Sequence, residues 1–353
     1  MENQYKYAIW DLSYILNRNI FPVSKGKEPG TYTEGDLIKT IIWTLAKCPK
    51  DYGISADKVI LLGDKWLGDQ GYYVTQILDG AYKDSRGEIK DLQGQARPKD
   101  TYMTREKLEE MKADPTATPE EIHEAEIQVY RSEVKTKAKW TIIRELKNYG
   151  YPTCILDGYE ADNFGYMASI LLYDENSSKK NVLITKDSDW QYFTTPKMDY
   201  FKLPSKGKDS ETITYEKMCN DMPSALHEKV SLYYYKAFID SFGAEGSHNG
   251  MRRTLKSGVD VTNAILNILD GDFSDLSDPD LFKKQFSTFH VEKYPEFERA
   301  KRLLLYTATT GGRLGTVDEF HDFCDRVGIT SGISDTYFNT FISRFDPSLY
   351  KER

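Results

Sequence analysis

Acidic side chains follow the ends of three short apolar runs in this 353-residue sequence. These carboxylates and the runs before them are Asp11 after residues 7–10, Asp64 after residues 58–63, and Asp187 and Asp189 after residues 181–184. Each run has the length and composition of one strand. Because the carboxyl ends of parallel strands meet at one edge of a sheet, where ligands bind, we expect these carboxylates to face one crevice.

Two further carboxylates, Glu160 and Asp162, stand where a helix is predicted to begin. The apolar residues that repeat behind them at helical spacing are Phe164, Met167, Ala168, Leu171 and Leu172. Either carboxylate alone could simply cap the helix and interact favourably with its dipole. Carboxylates that converge in one crevice would repel one another unless a cation neutralised them, and their hard oxygens suit Mg²⁺ or Mn²⁺.

The segments around these carboxylates alternate between predicted strands and helices. Residues 36–46 place apolar side chains on one side of a helix and join the first two predicted strands. Residues 151–156 and 199–203 predict further strands. This alternation is typical of an α/β fold with a central, mainly parallel sheet flanked by helices. Residues 206–353 are predicted to be mostly helical.

Residues 89–134 differ from this pattern. They contain two charged helical segments, residues 105–112 and 119–134, in which the apolar stripe is thin. The pattern predicts a helical insertion that extends from the α/β domain. A separate basic amphipathic helix is predicted over residues 135–149, with Trp140 facing inward.

The composition favours a globular protein of the cytoplasm. The net charge is −8, and hydrophobic and charged residues make up 39% and 29% of the chain. We expect no membrane partner, because the sequence contains no long apolar run and no leader. The four cysteines and five histidines form no CxxC or HExxH motif, which disfavours a zinc site. The acidic balance disfavours a nucleic-acid coat protein but allows an enzyme that acts on nucleic acid.

Basic and aromatic residues supply candidate contacts to a nucleic acid. Tyr82, Lys83 and Arg86 follow the second predicted strand, and Arg can bind two phosphate oxygens while Tyr can stack on a base. Core packing of the tyrosine and solvent exposure of the two cations are the alternatives. The other predicted phosphate contacts are Arg18, in a predicted polar loop over residues 17–30, and the cluster Arg252, Arg253 and Lys256.

The order of these motifs resembles that of the structure-specific 5′ nucleases, the flap endonuclease family, and within it the RNase H branch of T-even-type bacteriophages. The matching pieces are residues 8–13, 60–64, 82–87, 159–163 and 187–191. The resemblance implies a PIN-like nuclease domain over residues 1–205, two Mg²⁺ ions, and a helical arch at residues 89–134 that the DNA strand approaches. Residues 206–353 would be the DNA-binding region.

The same resemblance assigns roles to single residues. The matches to family metal ligands are Asp11, Asp64, Glu160 and Asp162 at the tighter site, and Asp187 and Asp189 between the two ions. Lys83 and Arg86 match basic residues near the scissile phosphate. These two cations and Asp187 are therefore the predicted catalytic residues.

The sequence departs from the family pattern in two places. Asn163 stands where the family usually has a second Asp. The family's later Gly-Asp-x-x-Asp-Asn element corresponds to residues 244–249, in which Glu245 could still bind an ion and His248 is a poorer Mg²⁺ ligand. The glycines of the following helix-hairpin-helix are mostly missing, so residues 243–265 would be a degenerate form of that element.

The resemblance implies a Mg²⁺-dependent 5′–3′ exonuclease or flap endonuclease, with Mn²⁺ able to substitute, that removes primers as an RNase H does in replication or repair. Its substrate would be DNA or RNA–DNA with a 5′ end or flap. We expect a monomer in the cytoplasm, or in the host cytoplasm for a viral chain, with replication proteins such as a single-strand-binding protein or clamp as partners. The alternatives are a catalytically weakened relative that binds branched DNA or a replication partner, and an α/β phosphohydrolase for small substrates.

Overall fold

The structure is a computed structural model that describes residues 4–78, 103–145, 153–204, 209–243 and 251–310. The strands are β1 (Tyr5–Asp11), β2 (Ala56–Leu62), β3 (Thr153–Cys154), β4 (Lys180–Thr185), β5 (Met198–Lys202) and β6 (Glu211–Ile213). The α-helices are α1 (Leu12–Ser24), α2 (Glu34–Tyr52), α3 (Tyr73–Ile77), α4 (Arg105–Ala113), α5 (Pro119–Glu145), α6 (Ala161–Leu171), α7 (Tyr215–Asp221), α8 (Leu232–Phe242), α9 (Val261–Leu269), α10 (Pro279–Ser287) and α11 (Phe297–Thr310).

The chain forms two compact units that alternate along the sequence. The first comprises residues 1–63, 100–154 and 306–353, and the second comprises residues 64–99 and 155–305. The division into residues 1–205 and 206–353 stays a prediction. No helix within the described ranges has the length and apolar character needed to cross a membrane.

In the first unit, a parallel ladder of three strands forms the core. β1 pairs with β2, and β2 pairs with β3. Ile9 and Ile60 face each other in this ladder and are fully buried. α1 follows β1 directly and continues to Ser24, because the buried residues Ile20 and Val23 extend its apolar face. The prediction of a polar loop from residue 17 is therefore wrong for the first part of that segment.

α5 is one continuous helix, whereas the sequence predicted two helices that meet near residue 134. Its buried face includes Val134, Ala138 and Ile142 at intervals of one helical turn, and it packs against α1 and α2. Trp140 projects away from this face with 43% of its surface exposed, so the prediction that it faces inward is wrong. The role of residues 89–134 as an arch stays a prediction.

The register of α5 predicts unequal effects of two substitutions in its last turns. Ile142→Ala should lower the free energy of unfolding by about 2–5 kcal/mol, because it leaves a cavity at a fully buried position. Trp140→Ala should change it little, although it removes a larger side chain. Urea unfolding followed by circular dichroism measures both. A larger loss of unfolding free energy for Trp140→Ala than for Ile142→Ala would contradict the observed register of the helix.

In the second unit, β4 and β5 are parallel, and the short edge strand β6 is antiparallel to β5. α6 precedes this ladder in the chain, and α7 to α11 follow it. The three parallel pairings and the flanking helices confirm the predicted α/β fold with a mainly parallel sheet. The described residues after 206 are mostly helical, as predicted.

Candidate active site

The first carboxylate segment of the second unit lies after β4. A 3-10 helix begins at Ser188, and Asp187 caps it by accepting a hydrogen bond from the backbone N–H of Asp189 at 3.1 Å. The Tyr200 hydroxyl on β5 donates to the backbone carbonyl of Asp187 at 2.9 Å. The turn after β4 is therefore held from both sides, and it presents Asp189 at the end of the strand.

The second carboxylate segment is the start of α6. The backbone N–H of Glu160 donates to the side-chain oxygen of Asn163 at 2.9 Å, which stabilises the first turn of the helix. Asp64 accepts a hydrogen bond from the backbone N–H of Ala161 at 2.6 Å. The amino end of a helix carries partial positive charge, which attracts a carboxylate at this position. Asp64, Glu160 and Asp162 thus gather at one helix start.

Backbone pairing explains why Asp64 lies at α6, nearly a hundred residues further along the chain. The N–H of Lys65 donates to the carbonyl of Tyr159 at 3.0 Å, and the N–H of Gly158 donates to the carbonyl of Lys65 at 2.8 Å. Gly158 has a φ of +82° and lies against the Tyr73 ring, where an added Cβ would be 2.5 Å from a ring carbon. Glycine is therefore required at this contact.

The two carboxylate segments line one cleft. Its polar lining consists of Glu160, Asp162, Asn163, Asp189, Lys236 and Asp240, and its less polar walls consist of Val74, Phe193, Tyr233, Met251, Thr288, Phe289 and Tyr294. Asp162 accepts a hydrogen bond from the indole N–H of Trp190 at 2.7 Å. Trp190 is fully buried, so this bond ties the start of α6 to the 3-10 helix after β4. Burial and the nearby charge of Glu160 raise the pKa of Tyr294, which keeps its hydroxyl neutral.

Lys236 and Asp240 are site residues that the sequence analysis missed. They lie one turn apart on α8 and form a buried ion pair, and the Lys236 ammonium is also 3.3 Å from Asp189. Burial by itself lowers the pKa of Lys236, but the carboxylates of Asp240 and Asp189 outweigh burial and raise it. The sequence does contain a signal for them, since a Lys and an Asp at i and i+4 interrupt an otherwise apolar helix.

The other predicted site residues have varied positions. Asp11 belongs to the first unit, where its side chain caps α1 by accepting from the backbone N–H of Tyr14 at 2.9 Å. Arg18 is on α1 rather than in a loop, and its guanidinium donates to the Tyr52 hydroxyl at 2.8 Å. The residues that lie outside the described ranges are Tyr82, Lys83, Arg86, Glu245 and His248.

The predicted phosphate contacts Arg252, Arg253 and Lys256 are exposed and follow Met251, which lines the cleft. The Arg253 guanidinium donates to the carbonyl of Leu255 at 3.2 Å. Lys256 donates to a backbone carbonyl of the neighbouring loop. Binding of nucleic acid by these cations stays a prediction.

The donor set of the cleft fits a hard divalent cation such as Mg²⁺ or Mn²⁺, because its polar lining is dominated by carboxylate oxygens. Within the ranges that the structure describes, no three carboxylate, histidine or cysteine side chains lie close enough together to hold an ion alone. Mg²⁺ in proteins is usually bound by one or two carboxylates together with waters and substrate phosphates. An ion here would therefore complete its coordination with water or phosphate oxygens.

No protein-family model and no curated protein sequence matches this chain. Among solved structures, the chain is similar to the bacteriophage T5 D15 flap endonuclease in complex with DNA and metal ions, with 17% identity over 92% of this chain and 98% of that one and a TM-score of 0.42. It is similar to the T5 5′-exonuclease with bound zinc at 17% identity, with the same coverage and a TM-score of 0.40. Human GEN1 in complex with Holliday junction DNA has 9% identity over 97% of this chain and 73% of that one, with a TM-score of 0.43.

Proposed function

We propose that this chain is a divalent-metal-dependent 5′ nuclease that hydrolyses phosphodiester bonds in DNA or RNA–DNA with a 5′ end or flap. The observation that carries the proposal is the convergence of two carboxylate segments, the start of α6 and the turn after β4, on one cleft. These are the segments whose order along the chain resembles the 5′ nuclease motifs. Removal of RNA primers during replication is the proposed biological role.

The residues in and around the cleft would have different roles in such a reaction. Glu160 and Asp162 would hold Mg²⁺ or Mn²⁺, with Asp64 beside them at the amino end of α6. Divalent ions lower the pKa of a bound water and neutralise negative charge that develops on the phosphate. Trp190 orients Asp162 through its indole N–H. Lys83 and Arg86 are proposed to stabilise the same developing charge. The assignment of Asp11, Asp187 and Asp189 as ligands stays a prediction from the resemblance.

The second candidate function is binding of branched DNA without cleavage. Asn163 favours it, because an amide stands where the 5′ nucleases usually have a carboxylate. The side-chain oxygen of Asn163 accepts the Glu160 N–H, so in this chain the residue stabilises the helix start. Binding without metal-dependent cleavage would identify this function.

The test is cleavage of a 5′-flap DNA and of an RNA–DNA hybrid by the full chain with Mg²⁺, with Mn²⁺, and with EDTA. We expect cleavage with either ion, and removal of the ion should lower the rate by more than about 100-fold, because the ion supplies both the activated water and the charge. A substrate of the same sequence whose 5′ end is closed in a hairpin is the matched control. Cleavage that persists in EDTA contradicts the proposal, and tight binding without cleavage supports the second candidate.

A further inference from the structure

Lys236 occupies a central position among the carboxylates of the cleft. Its ammonium group lies between Asp189, at the end of β4, and Asp240, one turn further along α8. The Lys236 side chain is 9% exposed and the Asp240 side chain is 1% exposed, so neither group can rely on water to stabilise its charge. The Tyr192 ring also lies 5.9 Å from the ammonium nitrogen.

Among the described lining residues of the cleft, carboxylates outnumber cations. Its lining contains the carboxylates of Glu160, Asp162, Asp189 and Asp240, and Lys236 is the one cationic side chain among the described lining residues. A carboxylate shielded from water needs a compensating charge, and for the buried Asp240 and the half-buried Asp189 the chain supplies this charge itself. A divalent ion bound between these two carboxylates would have to displace the ammonium, because two cations at contact distance repel each other strongly.

We propose that Lys236 is a resident cation that takes the place of one divalent ion, so that the cleft binds a single ion, on the side of Glu160 and Asp162. This inference rests on the proposed function, since it concerns the ion of the proposed nuclease site. Asn163 agrees with it, because an amide in place of a carboxylate lowers the negative charge of the same cleft. Lys236 is then a positioning residue that keeps Asp189 and Asp240 together without metal.

The test measures how many Mn²⁺ ions the full chain binds, by electron paramagnetic resonance of the free ion, without any substrate. We expect one ion per wild-type chain. Lys236→Met should bind a second ion, because it removes the ammonium group that lies between the carboxylates of Asp189 and Asp240. Lys236→Arg keeps the positive charge and should still bind one ion. Lys229→Met, which removes an exposed lysine charge from the same unit, is the matched control and should also bind one ion.

Two ions per wild-type chain would overturn the inference, and so would one ion per chain in Lys236→Met. Circular dichroism shows whether each variant is folded. If Lys236→Met does not fold, Lys236→Gln replaces it, because its amide still donates hydrogen bonds to the carboxylates while the charge is lost. One ion in a folded Lys236→Gln would be equally decisive against the inference.

The same measurements separate this inference from the proposed function. If the wild-type chain binds one Mn²⁺, the Lys236 variant binds two, and no flap or hybrid substrate is cleaved, the resident-cation inference holds and the proposed nuclease function is refuted. If the wild-type chain cleaves these substrates but binds two Mn²⁺ ions, the proposed nuclease function holds and the resident-cation inference is refuted.

Discussion

Asp162→Asn is expected to lower the rate of Mg²⁺-dependent cleavage by roughly 10²–10³-fold, an effect of the size that follows the loss of one charge-stabilising group in an active site. The asparagine keeps an oxygen that can accept the Trp190 indole N–H, which Asp162 accepts at 2.7 Å. The shape of the cleft and the stability of the fold should therefore change little. What the substitution removes is the negative charge that would bind the ion.

Single-turnover cleavage of the 5′-flap substrate at several Mg²⁺ concentrations measures this effect. Partial recovery at high Mg²⁺ is expected, because a weakened ion site can still be filled. Glu175→Gln removes an exposed carboxylate just beyond the end of α6 and should leave the rate unchanged. A folded Asp162→Asn variant that cleaves at the wild-type rate would show that Asp162 does not bind the ion.

Trp190→Phe is expected to lower cleavage by about 10–100-fold, because residues that hydrogen-bond to metal ligands orient them and tune their affinity. Phenylalanine fills most of the same buried space but has no N–H to donate to Asp162. The free energy of unfolding should fall as well, by about 1–3 kcal/mol, which is typical when a polar group shielded from water loses a hydrogen-bond partner. Trp190 thereby couples the stability of the fold to the geometry of the cleft.

The control for Trp190→Phe is Trp66→Phe, because Trp66 is 64% exposed and outside the cleft lining. Cleavage rates and urea unfolding of both variants give the comparison. The Mg²⁺ concentration that gives half-maximal cleavage should rise for Trp190→Phe and stay constant for Trp66→Phe. If Trp190→Phe lowers stability but leaves the metal dependence of cleavage unchanged, its bond to Asp162 has no functional role.

Local patterns of the sequence were sufficient for much of the fold. The strands that precede Asp11, Asp64 and Asp187 are short apolar runs, and such runs indicate strands through the composition of neighbouring residues alone. The carboxyl-end position of these acids follows from the same local order. Trp140 shows the limit of this reasoning, because which side of α5 is buried depends on α1 and α2, and not on the helix itself.

The contacts of the cleft that the sequence analysis missed are those between residues far apart in the chain. Trp190 and Asp162 are 28 positions apart, and their bond forms only because the start of α6 meets the 3-10 helix after β4. In the sequence, Lys236 and Asp240 have the spacing of an ordinary helical ion pair. Only the position of α8 in the fold places Lys236 next to Asp189. The sequence alone determined strands β4 and β5 and the carboxylates that follow β4, since strand formation and capping are local. Only the tertiary structure decided which charges compensate one another, because charge pairing depends on distance in space and burial from water.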